Sequence, residues 1–155
     1  MKLIYQTEDK NCMQTTIASL LDLELSDVPD FSKMKNPNHE EMKFLIERGY
    51  SIDTIYNTNV NKYEGDEKEY TNYLNDIKNL NGVGGYFYGV VMSPKYYKPD
   101  LPIYNENQIH HAVIIDKNFN IVNPINKEYE NTKFPLCDEI GYNGLLYILV
   151  INKNV

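Results

Sequence analysis

Apolar residues recur at helical spacing at Met13, Ile17, Leu20 and Leu21, which predicts a first helix from about Cys12 to Asp22. Asn11 stands where a side-chain oxygen can accept from the N–H groups that a helix start leaves unpaired. Leu23, Leu25, Val28 and Phe31 follow around Ser26, the expected cap of a short helical turn that Pro29 limits, and are expected to pack on the first helix. A second helix is expected from Pro37 to Arg48, with proline at its first position, Glu40 and Glu41 in its first turn and Gly49 at its stop. Met42, Leu45 and Ile46 form its inward stripe, and His39 reads as solvated. Leu3 to Tyr5 reads as a short edge strand or an anchored arm.

Tyr50 to Tyr56 alternates as a strand, and 57–66 reads as a polar loop. Tyr70, Tyr73, Leu74, Ile77 and Leu80 make a helical stripe over Glu67 to Leu80, followed by a glycine turn at 81–85. That turn lacks the lysine of a phosphate loop. Aromatic and β-branched residues over Gly85 to Met92 predict a strand. Ser93 to Gln108 carries Pro94, Pro99 and Pro102 and reads as a long loop, a length often given to lids and binding loops. Its Tyr96, Tyr97 and Tyr104 are candidates to line a substrate cleft; a surface loop pinned by its own tyrosines is the competing view. Ile109 to Ile115 reads as a strand, Phe119 to Asn123 as its hairpin partner, Ile125 to Asp138 as irregular, and Gly144 to Ile151 as an apolar strand inside the sheet. The pattern is α+β in a single domain spanning 1–155: a helical first half, and a mostly antiparallel sheet in the second half that the first helix crosses.

Composition narrows the function. Hydrophobic residues make up 42% of the chain, enough for a core at this size. A net charge of −7 without a Lys/Arg run argues against nucleic-acid binding. No apolar run reaches the length of a membrane span, and the start Met1-Lys2-Leu3-Ile4-Tyr5 turns polar at once, so neither a signal peptide nor a membrane partner is expected. The two cysteines, Cys12 and Cys137, do not make a disulfide scaffold. The expectation is a cytoplasmic protein with reduced thiols. Heavy use of Asn, Lys, Ile and Tyr fits an AT-rich genome, as in a low-GC bacterium or its phage.

The candidate chemistry centres on Cys12. A thiol in a helix's first turn sits at the positive end of the dipole, which favours the thiolate; the plainer view is a small apolar residue opening a core helix. Gln6 precedes it and can offer an amide to an oxyanion beside the Cys12 N–H, or be a surface glutamine. His111 near a strand start can serve as base to a helix-borne thiol. A hairpin with the three-residue loop Asp116-Lys117-Asn118, Asn118 left-handed, pairs Ile115 with Phe119, Val113 with Ile121 and His111 with Asn123 on one face. Asn123 is then the group that orients the His111 ring, and His110 points the other way, toward a substrate. Cys137 has no accompanying base and reads as inert. Adjacent histidines on a strand point apart and no paired-cysteine motif exists, so no metal and no cofactor is expected.

Glutamine, cysteine opening a helix, then His111-Ala112-Val113 on one strand and Asn123-Pro124 on the next together resemble the papain-like cysteine peptidase superfamily. The nearest flavour is the bacteriocin-processing peptidases and the small papain-like proteins of bacteria and phages. The resemblance covers the two ends of the chain, and it lacks the Gly/Ser-rich surroundings common at the papain cysteine. It implies a papain-like fold with Cys12 as nucleophile, His111 as base, Asn123 as orienter and Gln6 as oxyanion donor. The implied activity is acyl transfer on a peptide, protein or small amide, as a peptidase, isopeptidase, amidase or transferase. The rival reading is a non-catalytic papain-like binding protein, for instance a phage counter-defence factor or an inhibitor. Oligomeric state is not legible.

Overall fold

The computed structural model describes residues 1–57 and 82–154. The expected loop over 58–66 and the helix over Glu67 to Leu80 lie outside the described residues.

Three helices and five strands make up the described fold: α1 (Cys12–Leu20), α2 (Pro37–Glu47), β1 (Tyr50–Tyr56), β2 (Phe87–Met92), β3 (His110–Ile115), β4 (Ile121–Asn123), the single-turn α3 (Cys137–Ile140) and β5 (Tyr147–Lys153). The strands form one antiparallel sheet in the order β1-β5-β2-β3-β4. β5 is therefore interior, as its unbroken apolar run requires, and the fold is α+β with α1 laid on β3 and β2.

The sheet has two buried faces. Tyr88, Val90, Ala112, Ile114, Leu149 and Ile151 pack against Ile17, Ala18 and Leu20 of α1 and Leu45 of α2. Phe87, Val91, Val113, Ile115, Ile148 and Val150 face the other way, onto Phe119, Tyr129, Phe134 and Leu145. Period-2 alternation along β2, β3 and β5 divides the two sets.

α1 is enclosed on more than the expected stripe. Thr15, Thr16 and Ser19 are fully buried beside Ile17 and Leu20. Their hydroxyls donate to Asn11 O (2.8 Å), Cys12 O (2.7 Å) and Thr15 O (2.8 Å), the back-bonding that gives hydroxyls buried along a helix a partner. Residues 1–6 form an anchored arm, tied by Lys2 N–H to Ser19 O and Gln6 N–H to Ile125 O. Asn11 does not cap α1 with its side chain. Its Oδ1 accepts from Glu8 N–H and its Nδ2 donates to Thr7 and Gln14, so it orders the preceding loop instead.

Two further expectations are corrected. On α2, Ile46 is 63% exposed and Glu41 takes an inward place beside Leu45. The β3–β4 hairpin uses the longer connection Asp116–Asn120, with Phe119 rather than Asn118 in the left-handed region. The Asp116 carboxylate accepts from Asn118 N–H and Asn120 N–H, which favours the wider turn. Ile115 consequently pairs with Ile121, and Asn123 falls opposite Ile114 across a bulge, not opposite His111.

Gly89 of β2 is closely packed on the second face. A Cβ there sits 2.8 Å from Leu145 Cδ2 and 3.0 Å from Ile115 Cγ2. Gly89→Ala is expected to cost about 1–3 kcal/mol in chemical denaturation; an unchanged midpoint contradicts this packing.

Candidate functional site

Cys12 opens α1, whose first-turn N–H groups have no side-chain cap. The thiol packs among the apolar residues of the α1 face and takes backbone N–H contacts from Ala112 on β3, from Met13 and from its own amide. These contacts draw its pKa down, but burial, with Glu41 nearby, outweighs them and pushes the thiol up. The resting state is a protonated thiol, not the thiolate expected from the dipole alone.

Ala112 points toward α1, so the alternation of β3 sends His110 to that same face and His111 to the opposite one. The His111 ring lies edge-on to Tyr129, with centroids 4.9 Å apart, and stacks over Phe134 at 6.3 Å. Its Nε2 donates to Pro124 O at 2.6 Å. Burial drives its pKa down to about 4. The structure thus does not bring His111 to Cys12. His110 donates from Nε2 to Ile103 O at 2.8 Å. Tyr104 stands edge-on to it at 6.3 Å.

Asn123 is a clamp. Its Oδ1 accepts from Ile125 N–H at 2.9 Å and its Nδ2 donates to Ile4 O at 3.1 Å. The first bond holds Ile125 at φ 67°, a strained setting for a β-branched residue. No hydrogen bond joins Asn123 to His111; the Pro124 carbonyl orients that ring. Gln6 spends an Nε2 hydrogen on Glu8 O (2.8 Å), and its Oε1 is buried without a hydrogen-bond partner.

The three loop tyrosines separate. Tyr96 donates to Asp9 at 2.7 Å, pinning the loop to the segment just before Cys12. Tyr97 packs on Met92, Ile140 and Leu146. Tyr104 donates to Leu146 O at 3.2 Å and meets Tyr56 edge-on, and Tyr56 in turn meets Tyr147 at 5.4 Å. Gln108 holds the long loop together through Lys98 N–H and Lys98 O. Cys137 donates to Phe134 O, and burial pushes its thiol up.

Sequence reasoning missed Glu41, Tyr88 and Tyr147 as members of this site. Glu41 is buried and accepts from Tyr88 Oη at 2.8 Å. Burial raises its pKa to about 8, opposed by the Tyr88 hydrogen bond. Tyr147 is pushed up by burial, with Glu41 and Cys12 among its neighbours. A tyrosine on the apolar face of a strand needs a partner for its hydroxyl, and that was the available signal.

A cleft of about 820 Å³ opens elsewhere, lined by Ile121, Tyr129, Phe134, Cys137 and Tyr142 among others; Cys12 is not in its wall. Among the described residues no group of three His, Cys, Asp or Glu side chains is placed to hold a metal, and no helix is long and apolar enough to cross a membrane. No protein-family model, curated protein or solved structure matches the chain.

Two buried groups give stability opposite pH slopes. His111 has a folded pKa of about 4, below its ordinary 6.5, so between those values the unfolded chain takes up a proton that the folded chain refuses. Stability falls as pH drops through that window, by up to about 3 kcal/mol from this group. Glu41, raised from 4.5 to about 8, keeps a proton that the unfolded chain loses, so its contribution falls as pH rises across that range. Melting curves against pH are expected to show His111→Gln losing the acid-side slope and Glu41→Gln losing the alkaline-side one. Unchanged slopes in both variants contradict these environments.

Proposed function

We propose that the protein is a cysteine-dependent acyl-transfer enzyme with a papain-like arrangement, in which Cys12 is the nucleophile and His110, not His111, is the base. One observation carries this reading: Cys12 opens a helix laid over β3, its thiol meets the Ala112 N–H, and His110 stands two residues away on the same face. The Cys12 sulfur attacks a carbonyl carbon. His110 Nδ1 takes the thiol proton during the attack, as a thiol pushed up by burial requires, and then delivers it to the leaving group. The uncapped N–H groups of the first α1 turn are the oxyanion donors, in place of Gln6. Tyr104 flanks the base. Water as acceptor makes the enzyme a peptidase, isopeptidase or amidase; an amine makes it a transferase.

One observation favours a second reading. Burial and Glu41 hold the Cys12 thiol protonated, and Asn123, His111 and Gln6 all make structural bonds, as suits a non-catalytic binding protein on the same frame.

Acylation by p-nitrophenyl acetate, followed by intact mass and nitrophenol release, separates the two. Cys12→Ala is expected to abolish acylation and turnover. His110→Ala is expected to slow turnover by about 10²-fold or more, while folded His111→Ala retains most of it. Full turnover in Cys12→Ala, or equal rates in His110→Ala and wild type, contradicts the proposal.

A further inference from the structure

The cleft of about 820 Å³ takes no part in acyl transfer as described, and its walls define the shape of ligand it fits. One wall is Asn120, Ile121 and Val122; the facing wall is the segment from Tyr129 to Phe134. Successive side chains of a strand point to opposite faces, so a space touched by both Ile121 and Val122 lies along the edge of β4, not over one face of it. β4 is the last strand of the sheet, and among the described residues no strand pairs with its outer edge. The floor is preformed. Tyr129 and Phe134 are buried and meet edge-on at 6.1 Å. The His111 ring backs both of them and is itself held by Pro124 O. Asn126 Oδ1 accepts from Glu128 N–H at 2.9 Å, and Thr132 N–H returns to Tyr129 O at 3.1 Å, which fixes the far wall. The charged residues of the walls are Glu130, Lys133 and Asp138. Lys133 pairs with Asp138, and Glu130 accepts from the Tyr5 hydroxyl. Two carboxylates against one ammonium leave the cleft negative, on a chain of net charge −7.

We propose that this cleft is a docking site for an extended peptide segment of basic character, which adds as a further strand along the outer edge of β4. The open N–H and C=O groups of an edge strand supply main-chain bonds, and side-chain pockets at alternate positions supply selection. β4 is three residues long, so the ladder is short and the aromatic floor supplies much of the contact. Apolar side chains at alternate positions of the peptide turn to Tyr129 and Phe134. The basic side chains between them reach the exposed carboxylates Glu130 and Asp138 at the rim. The same charges disfavour an acidic segment. Cys12 is not in the wall, so the site stands independently of acyl transfer.

The test is titration of the ¹⁵N-labelled full chain with the peptide acetyl-Lys-Val-Lys-Tyr-Lys-Val-Lys-amide, read by two-dimensional NMR up to about 1 mM peptide. The Ile121 and Val122 amides are expected to shift progressively, and Cys12→Ala is expected to bind like wild type. A peptide with Glu in place of each Lys is expected to bind at least about ten-fold more weakly, and Glu130→Lys is expected to weaken the basic peptide several-fold. Two further peptides carry N-methyl groups, one at its Val and Tyr residues and the other at its inner Lys residues. A strand offers alternate N–H groups to each side, so at least one of these peptides is expected to lose about ten-fold or more in affinity. Absent shifts at Ile121 and Val122, shifts spread over the acidic surface without a focus on β4, equal affinity for the acidic peptide, or full binding by both methylated peptides overturns the proposal. Shifts of the same amides with protein concentration alone identify a second copy as the occupant and overturn the assignment to a basic peptide.

Discussion

The Asn123-Pro124-Ile125 turn is where the two ends of the chain are fastened. Asn123 grips Ile4 of the arm and its own neighbour Ile125, Ile125 O receives Gln6 N–H, and Pro124 O receives the His111 ring. The arm in turn lies along α1 through Lys2 N–H and Ser19 O. Every one of these bonds is buried or partly buried, so losing a partner leaves a polar group unpaired, at about 1–3 kcal/mol each. The position of α1, and of the thiol at its start, follows from that fastening. The residues that most resemble an orienting amide and a base in the sequence thereby build the frame that holds Cys12.

The elements were legible where periodicity was strong. α1, α2, β1, β2 and β5 lie close to where the spacing of apolar residues puts them, and Pro37 and Gly49 bound α2. The failures are specific. Strand alternation correctly separates His110 from His111, but which of the two faces α1 is set by packing on the sheet, and whether Asn123 lies opposite His111 is set by the hairpin register. That register was set by the Asp116 carboxylate gathering the N–H groups of Asn118 and Asn120, a local bond that hydrophobic pairing does not reveal. The sequence offers Glu41 only as an acid suited to a helix's first turn, because its partner, Tyr88, lies 47 positions away in sequence. Sequence spacing carries periodicity well and carries a single long-range hydrogen bond not at all.

The same buried layer that positions Cys12 also governs its protonation. Apolar surroundings raise the thiol, raise Glu41 and raise Tyr147, and on the far face they lower His111. All four shifts disfavour charge, as burial dictates. In the proposed enzyme a thiol in this setting gives up its proton at the moment of attack, which makes the identity of the base the central structural question.

That question is answered most directly by the two imidazoles themselves. Long-range ¹H–¹⁵N NMR spectra of the histidines, compared between wild type and Cys12→Ser, report which ring senses the sulfur. The account predicts that the His110 ring nitrogens shift on the substitution, while His111 keeps its Nε2-protonated tautomer unchanged and stays neutral down to about pH 4. A His111 ring that shifts while His110 stays still contradicts the assignment of Cys12 and His110 to a common face.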